Sequence, residues 1–229
     1  MELSNDPGNF NAKALLAKVY ELFGDFKKAI EIYSELLLCD PNSEDILIDR
    51  GVAYWKLGKV QESFDDFNEA IGINPDCVKA YNNRGNIYFE TKEYSFAESD
   101  FSKAIELDPN FIYSYVNRGN LYYEKKDYGS AENDFKIAIK INEDCERAYV
   151  HLGDTCFSQK EYIEAKNNYD KAISINPDFA GAYYNKGLML IEIEHKQDGV
   201  RNIEKSEQLF TKNKDPFSKV ARQLLANLR

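Results

Sequence analysis

Residues 78–111 read VKAYNNRGNIYFETKEYSFAESDFSKAIELDPNF, and residues 112–145 read IYSYVNRGNLYYEKKDYGSAENDFKIAIKINEDC. Superimposed at a step of 34, the two segments share Asn-Arg-Gly-Asn (83–86 and 117–120) and an Asp-Phe pair (100–101 and 134–135). In the first half of the earlier segment, Tyr81, Gly85 and Tyr88 recur at i, i+4 and i+7, which places them on one helical face. In its second half, Ala97, Phe101, Ala104 and Ile105 form another such face. Lys92-Glu93-Tyr94 separates the halves. The spacing predicts two amphipathic helices, about Val78 to Thr91 and about Ser95 to Leu107.

The same period runs through the chain on either side. Prolines stand at 7, 41, 75, 109 and 177, all multiples of 34 apart, and Glu143 fills the missing step. Asp or Asn precedes each of these positions, at Asp6, Asp40, Asn74, Asp108, Asn142 and Asn176. Another follows at Asn42, Asp76, Asn110, Asp144 and Asp178. Proline removes a helix donor, and the flanking side chains are expected to cap the next helix. A small column (Ala29, Ser63, Ala97, Ala131, Ala165) and a glycine column (Gly51, Gly85, Gly119, Gly153, Gly187) allow the two helices of a hairpin to approach closely. Tyr33, Phe67, Phe101, Phe135 and Tyr169 fill the space beside them. A period of this length signals a stacked array rather than an ordinary globular domain.

The residues Tyr81, Gly85, Tyr88, Ala97, Phe101, Ala104 and Pro109, with Tyr115, Gly119, Tyr122, Ala131, Phe135 and Ala138 one step on, resemble the tetratricopeptide repeat family. The resemblance implies an all-α, right-handed superhelical solenoid of helix-turn-helix hairpins. It divides the chain into a lead-in (1–9), six repeats (10–43, 44–77, 78–111, 112–145, 146–179 and a degenerate 180–213), and a capping helix (214–229). The first repeat is looser, with Lys13 at a leading apolar position and Ala17 for the glycine. In the sixth, Gly199, Ile203 and Thr211 replace the expected alanine, aromatic and proline. Drift of this kind is typical of terminal repeats. Phe217, Val220, Ala221, Leu224, Leu225 and Leu228 form one stripe, which predicts the capping helix. Asp6-Pro7-Gly8-Asn9 imitates an inter-repeat junction, consistent with either a native start or a longer array.

Composition narrows the function. The chain carries 39 acidic and 29 basic side chains, a formal charge of −10, which argues against nucleic acid as a partner. No apolar run approaches the length of a membrane helix, and residues 1–7 lack the features of a secretory leader. Cys39, Cys77, Cys145 and Cys156 form no CxxC pair and have no histidine cluster beside them. The expectation is therefore four free thiols, no metal, and a cytoplasmic protein. No nucleotide-binding, hydrolase or metalloprotease motif is present, so neither an enzyme nor a cofactor is expected.

Comparing repeats exposes a pairing. Where Arg precedes the column glycine (Arg50, Arg84, Arg118), Asp stands 16 positions later (Asp66, Asp100, Asp134). Elsewhere both are replaced together. Each pair is expected to bridge the two helices of its own hairpin bidentately, as a structural ion pair.

The family resemblance implies that the first helix of each repeat lines a concave groove that holds an extended peptide or a helix. By register, Asn82, Asn83, Asn86, Tyr113, Asn117, Asn120, Tyr123, Arg147 and His151 face it. Asparagine both donates and accepts, so this set suits the backbone of a bound segment whatever its sequence. One family variant clamps chaperone tails with two lysines and an arginine. Here Asn86, Asn117 and Arg147 fit that pattern, but Asn82 and His151 replace two cations, which weakens the clamp. The chain is read as a non-catalytic scaffold binding a protein or peptide, with no membrane role. The alternatives are a self-assembly element, or the repeat module of a larger enzyme or chaperone adaptor.

Overall fold

The computed structural model describes residues 7–228, and all regular structure among them is α-helical. The chain divides into two compact units, residues 1–114 and 115–229. The first contains α1 (Pro7–Leu22), α2 (Phe26–Cys39), α3 (Glu44–Lys56), α4 (Val60–Ile73), α5 (Val78–Glu90) and α6 (Tyr94–Leu107). Helix α7 (Ile112–Glu124) crosses the division. The second unit continues with α8 (Tyr128–Ile141), α9 (Glu146–Ser158), α10 (Tyr162–Ile175), α11 (Ala180–Glu192), α12 (Lys196–Lys212) and α13 (Phe217–Leu228). Most of the proposed lead-in, residues 1–6, and Arg229 lie outside the described residues.

Close approach within each hairpin explains the glycine column. A Cβ built on Gly85 would sit 2.7 Å from the Phe101 ring, and one on Gly119 would sit 2.6 Å from the Phe135 ring. Any side chain there would force the helices apart. The small column is wholly buried. Where it carries Ser63, the hydroxyl donates to the Gly51 carbonyl at 2.7 Å, so the hairpin tolerates a polar atom in its core. Tyr33, Phe67, Phe101, Phe135 and Tyr169 are fully buried beside these positions.

The turns inside hairpins share one backbone device. Gly24 and Gly58 are left-handed, with φ +76° and +74°, and Lys92, Lys126, Lys160 and Glu194 adopt the same conformation in later hairpins. After α5, the Lys92 amide donates to Phe89 at 3.0 Å and the Glu93 amide to Tyr88 at 2.7 Å, closing the helix end. Holding a lysine at φ 61–65° costs about 1 kcal/mol relative to glycine. Lys126→Gly should therefore stabilise the second unit by at most about 0.5 kcal/mol, the rest of the gain being lost to the freer unfolded chain. Chemical denaturation would measure it.

The junctions between hairpins correct one expectation. The Asp or Asn after the proline does not cap the next helix. The residue before the proline, or before Glu143 where proline is missing, instead accepts from the amide two positions on, as in Asn110 N to Asp108 Oδ1 at 2.9 Å and Asp144 N to Asn142 Oδ1 at 3.0 Å. The helix begins later, after Ser43, Cys77 or Cys145. The polar pair thus builds a turn. Among these caps only the Cys77 sulfur accepts an amide hydrogen bond, from Ala80.

At the C-terminal end, α13 packs Ala221 and Leu225 against Ile203 of α12. Arg222 donates to Glu207 through Nε at 3.1 Å and Nη2 at 2.6 Å. Tyr184, Phe210 and Phe217 form a ring cluster at the same end, with Phe210 and Phe217 centroids 5.6 Å apart.

Candidate functional site

In the first unit, Arg50 and Arg84 define how each hairpin is tied together. Arg50 donates from Nε and Nη2 to the two Asp66 oxygens at 2.9 and 2.6 Å, and Arg84 meets Asp100 at 2.8 Å in both contacts. The remaining Nη1 reaches back 16 residues, to Ser34 Oγ at 3.2 Å from Arg50 and to Asn68 Oδ1 at 2.6 Å from Arg84. One guanidinium thus joins three helices and two successive hairpins. The sequence comparison identified only the forward partner. The second unit repeats the fork between Arg118 and Asp134, at 2.8 and 2.9 Å. Lys186 there reaches backward only, to Asp170.

The asparagines of the first unit divide into two kinds. Asn82 is buried, 6% exposed, and its Oδ1 accepts from Ser114 Oγ at 3.1 Å. Its amide belongs to the packing between hairpins, which corrects its placement on the groove. Asn83 and Asn86 are half-buried, and neither side chain hydrogen-bonds another described residue. Tyr113 is 60% exposed, with its ring 5.5 Å from Phe111.

In the second unit, Asn117 and Asn120 are half-buried. Asn117 is engaged by a neighbour, whereas the Asn120 side chain is not. Tyr123 shares a hydrogen bond with Ser158 Oγ at 2.9 Å. Arg147 is exposed. The His151 ring stacks on Phe135, with centroids 5.5 Å apart. Burial, with a smaller contribution from the Arg147 charge, pushes the imidazole down to about 4, so it is neutral at pH 7. In the clamp register His151 therefore supplies no cation.

Sequence reasoning missed the residue on which this part of the second unit is organised. Asp154 Oδ1 accepts from Tyr169 Oη at 2.7 Å and from Asn185 Nδ2 at 2.8 Å. Burial lifts its carboxyl to about 6, against the pull of those two donors. A usable signal existed. The large column carries Tyr rather than Phe at 169, and the carboxylate that takes its hydroxyl stands 15 residues earlier.

This carboxyl has a sign-definite consequence for stability. Its pKa is raised in the folded state above the unfolded value near 3.8, so folding favours the protonated form. The Asp154 contribution to stability therefore falls as pH rises from about 4 to about 6, by on the order of 2–3 kcal/mol, while His151, held down to about 4, contributes a change of opposite sign over the same range. Asp154→Asn keeps an acceptor for both donors and should remove the Asp154 contribution, so the melting-temperature difference between wild type and variant should vary with pH across this range.

Among the described residues, no group of three or more His, Cys, Asp or Glu is placed to hold a metal ion. No described helix is long and apolar enough to cross a membrane. The four cysteines are free thiols.

Stacked hairpins with these columns define a helical-repeat protein. Tetratricopeptide repeat models match residues 10–43, 44–77, 78–111 and 101–133, and a further repeat model of the same family matches 153–192. The chain belongs to the tetratricopeptide repeat family. No curated protein sequence matches it. Among solved structures it is similar to PilW, a type IV pilus biogenesis factor, with a TM-score of 0.79 and 21% identity, covering 97% of this chain and 100% of that one. A tetratricopeptide repeat protein from Parabacteroides merdae is similar with a TM-score of 0.77 and 21% identity, over 98% and 86% of the two chains. YrrB, a repeat protein with an unusual peptide-binding site, has a TM-score of 0.57 and 16% identity, over 77% and 91%. At these identities the likeness is one of fold.

Proposed function

We propose that the protein is a non-catalytic scaffold whose first-helix faces hold an extended segment of a partner protein. The observation that carries this reading is the set of half-buried amides at Asn83, Asn86 and Asn120, whose side chains make no hydrogen bond to another described residue. Partly enclosed amides want partners, and a peptide backbone offers a donor and an acceptor at every residue. Tyr113 supplies exposed apolar area in the first unit, and Tyr123 follows Asn120 by three residues on α7 in the second. Asn117, Arg147 and His151 complete the set read from the sequence. The peptide-binding site named for the structurally similar YrrB is compatible with this use of the fold. Changing Asn83, Asn86 and Asn120 together to alanine should abolish partner capture without changing the melting temperature by more than a few degrees.

A second reading, self-association, is favoured by one observation. Leu15, Leu16, Val19 and Leu22 of α1, and Phe23 in the turn after it, are exposed by 65, 46, 36, 86 and 84%. The positions in later hairpins that correspond to Val19, including Ala53, Ile87 and Met189, are buried at 0 or 1%. At Val19, α1 thus presents to solvent a position that later repeats enclose, with further exposed apolar side chains beside it. Light scattering on the wild type and on Leu16→Lys/Val19→Lys separates this reading from the first.

A further inference from the structure

Asp154 differs from Asp134 and Asp170 of the same unit in having no lysine or arginine beside it. Asp134 faces the Arg118 fork, and Asp170 faces Lys166 at 2.7 Å together with Lys186. Asp154 has only two neutral donors, and both use Oδ1. Among the described residues nothing donates to Oδ2; the nearest basic atom is Nδ1 of His151, 4.0 Å away. The Asp154 side chain remains 22% exposed, so it is not sealed from solvent.

The surroundings fix this carboxylate without neutralising it. Tyr169 is fully buried and holds Oδ1 from inside the hairpin of α9 and α10, while Asn185 holds it from α11. On α9 itself, Arg147 lies two turns away and acts on His151, which is neutral. From α7, Tyr123 feels the Asp154 charge and, more weakly, that of Glu124. An enclosed carboxylate that is oriented by hydrogen bonds but lacks a counterion is costly to a protein on its own. A cation from outside would offset that cost and find its acceptor already aimed. The Tyr123 ring nearby suits the methylene stem of such a cation.

We propose that Asp154 is an anchoring site for a lysine or arginine side chain of the bound segment, received on Oδ2 while Tyr169 and Asn185 hold Oδ1. The proposal rests on the reading of these faces as a peptide-binding surface and names the chemistry one ligand side chain must carry. It also makes binding pH-dependent. Protonation of Asp154 below about 6 removes the acceptor charge, and His151 stays neutral until about 4.

The test uses the whole chain with N-acetylated, C-amidated alanine–serine octapeptides bearing one central lysine, arginine, norleucine or glutamate, and butylguanidinium alone. Affinities come from calorimetry, and the Asp154 titration from the NMR shift of its carboxyl carbon. At pH 7.5 the lysine and arginine peptides should bind about tenfold more tightly than the norleucine peptide, and they should lower the Asp154 midpoint. The preference should vanish below pH 5 and in Asp154→Asn, which should keep norleucine-peptide binding. Equal binding of lysine and norleucine peptides, or a preference that survives Asp154→Asn, overturns the anchor and leaves the peptide surface standing. If no octapeptide binds but butylguanidinium lowers the Asp154 midpoint, the anchor stands and the peptide surface fails. If butylguanidinium and the cationic peptides all leave the midpoint unmoved, the anchor is overturned.

Discussion

Asp134→Ala should destabilise the second unit by about 3 kcal/mol. The Asp134 side chain is only 2% exposed and receives both fork nitrogens of Arg118, whose side chain is 19% exposed. Removing the carboxylate strands a guanidinium that is mostly out of water, and breaking such pairs typically costs about 3–5 kcal/mol. The residual exposure of Arg118 places the expectation at the lower end. Asp134→Asn, which keeps one acceptor oxygen, should cost less. The exposed pair of Lys212 and Asp178 provides the contrast. Water screens it, so Asp178→Ala should leave the denaturation midpoint where it is. Equal effects at the two sites would mean that the forks are not the ties between helices described above.

Gly119→Val should be as damaging, for a steric reason. A single Cβ at this position already lies 2.6 Å from one Phe135 ring atom and 2.9 Å from two others. Phe135 is fully buried, so its ring cannot swing out into solvent. Overpacking of this sort costs about 1–3 kcal/mol for modest insertions, and three added carbons in a hairpin core place valine at or beyond about 3 kcal/mol. Gly72 in α4 has nothing within 4 Å of its would-be Cβ, so Gly72→Ala should instead stabilise by about 0.5–1 kcal/mol. The opposite signs, read by chemical denaturation, separate close approach from helix propensity.

Residues 78–145 made the fold legible, because two repeats with the same glycine, small and aromatic columns leave little freedom in how the helices pair. The Arg and Asp that vary together correspond to a contact 16 residues long, visible to anyone comparing repeats. The backward reach of Arg50 to Ser34 and of Arg84 to Asn68 was not legible, because Ser and Asn vary at that column and carry no distinctive signal. The left-handed turn was equally hidden. Glycine marks it at 24 and 58, but lysine or glutamate occupies it from 92 onward.

The face read as a groove was less legible than the fold. Asn82 and Asn83 are neighbours on one helix, about 100° apart in azimuth, and register alone did not decide which amide meets Ser114 and which meets solvent. That depends on packing by a residue 32 positions away. The role of Asp154 was hidden in the same way, since its link to Tyr169 joins two columns 15 residues apart that the repeat comparison does not set side by side.

The most direct test of the scaffold reading is recovery of a partner. The wild type and Asn83→Ala/Asn86→Ala/Asn120→Ala are purified in parallel from the same cells, and co-purifying proteins are quantified by mass spectrometry. The scaffold reading predicts one protein recovered in near-stoichiometric amount with the wild type and lost from the equally folded triple variant. Recovery of the same protein in the same amount with both chains would contradict it.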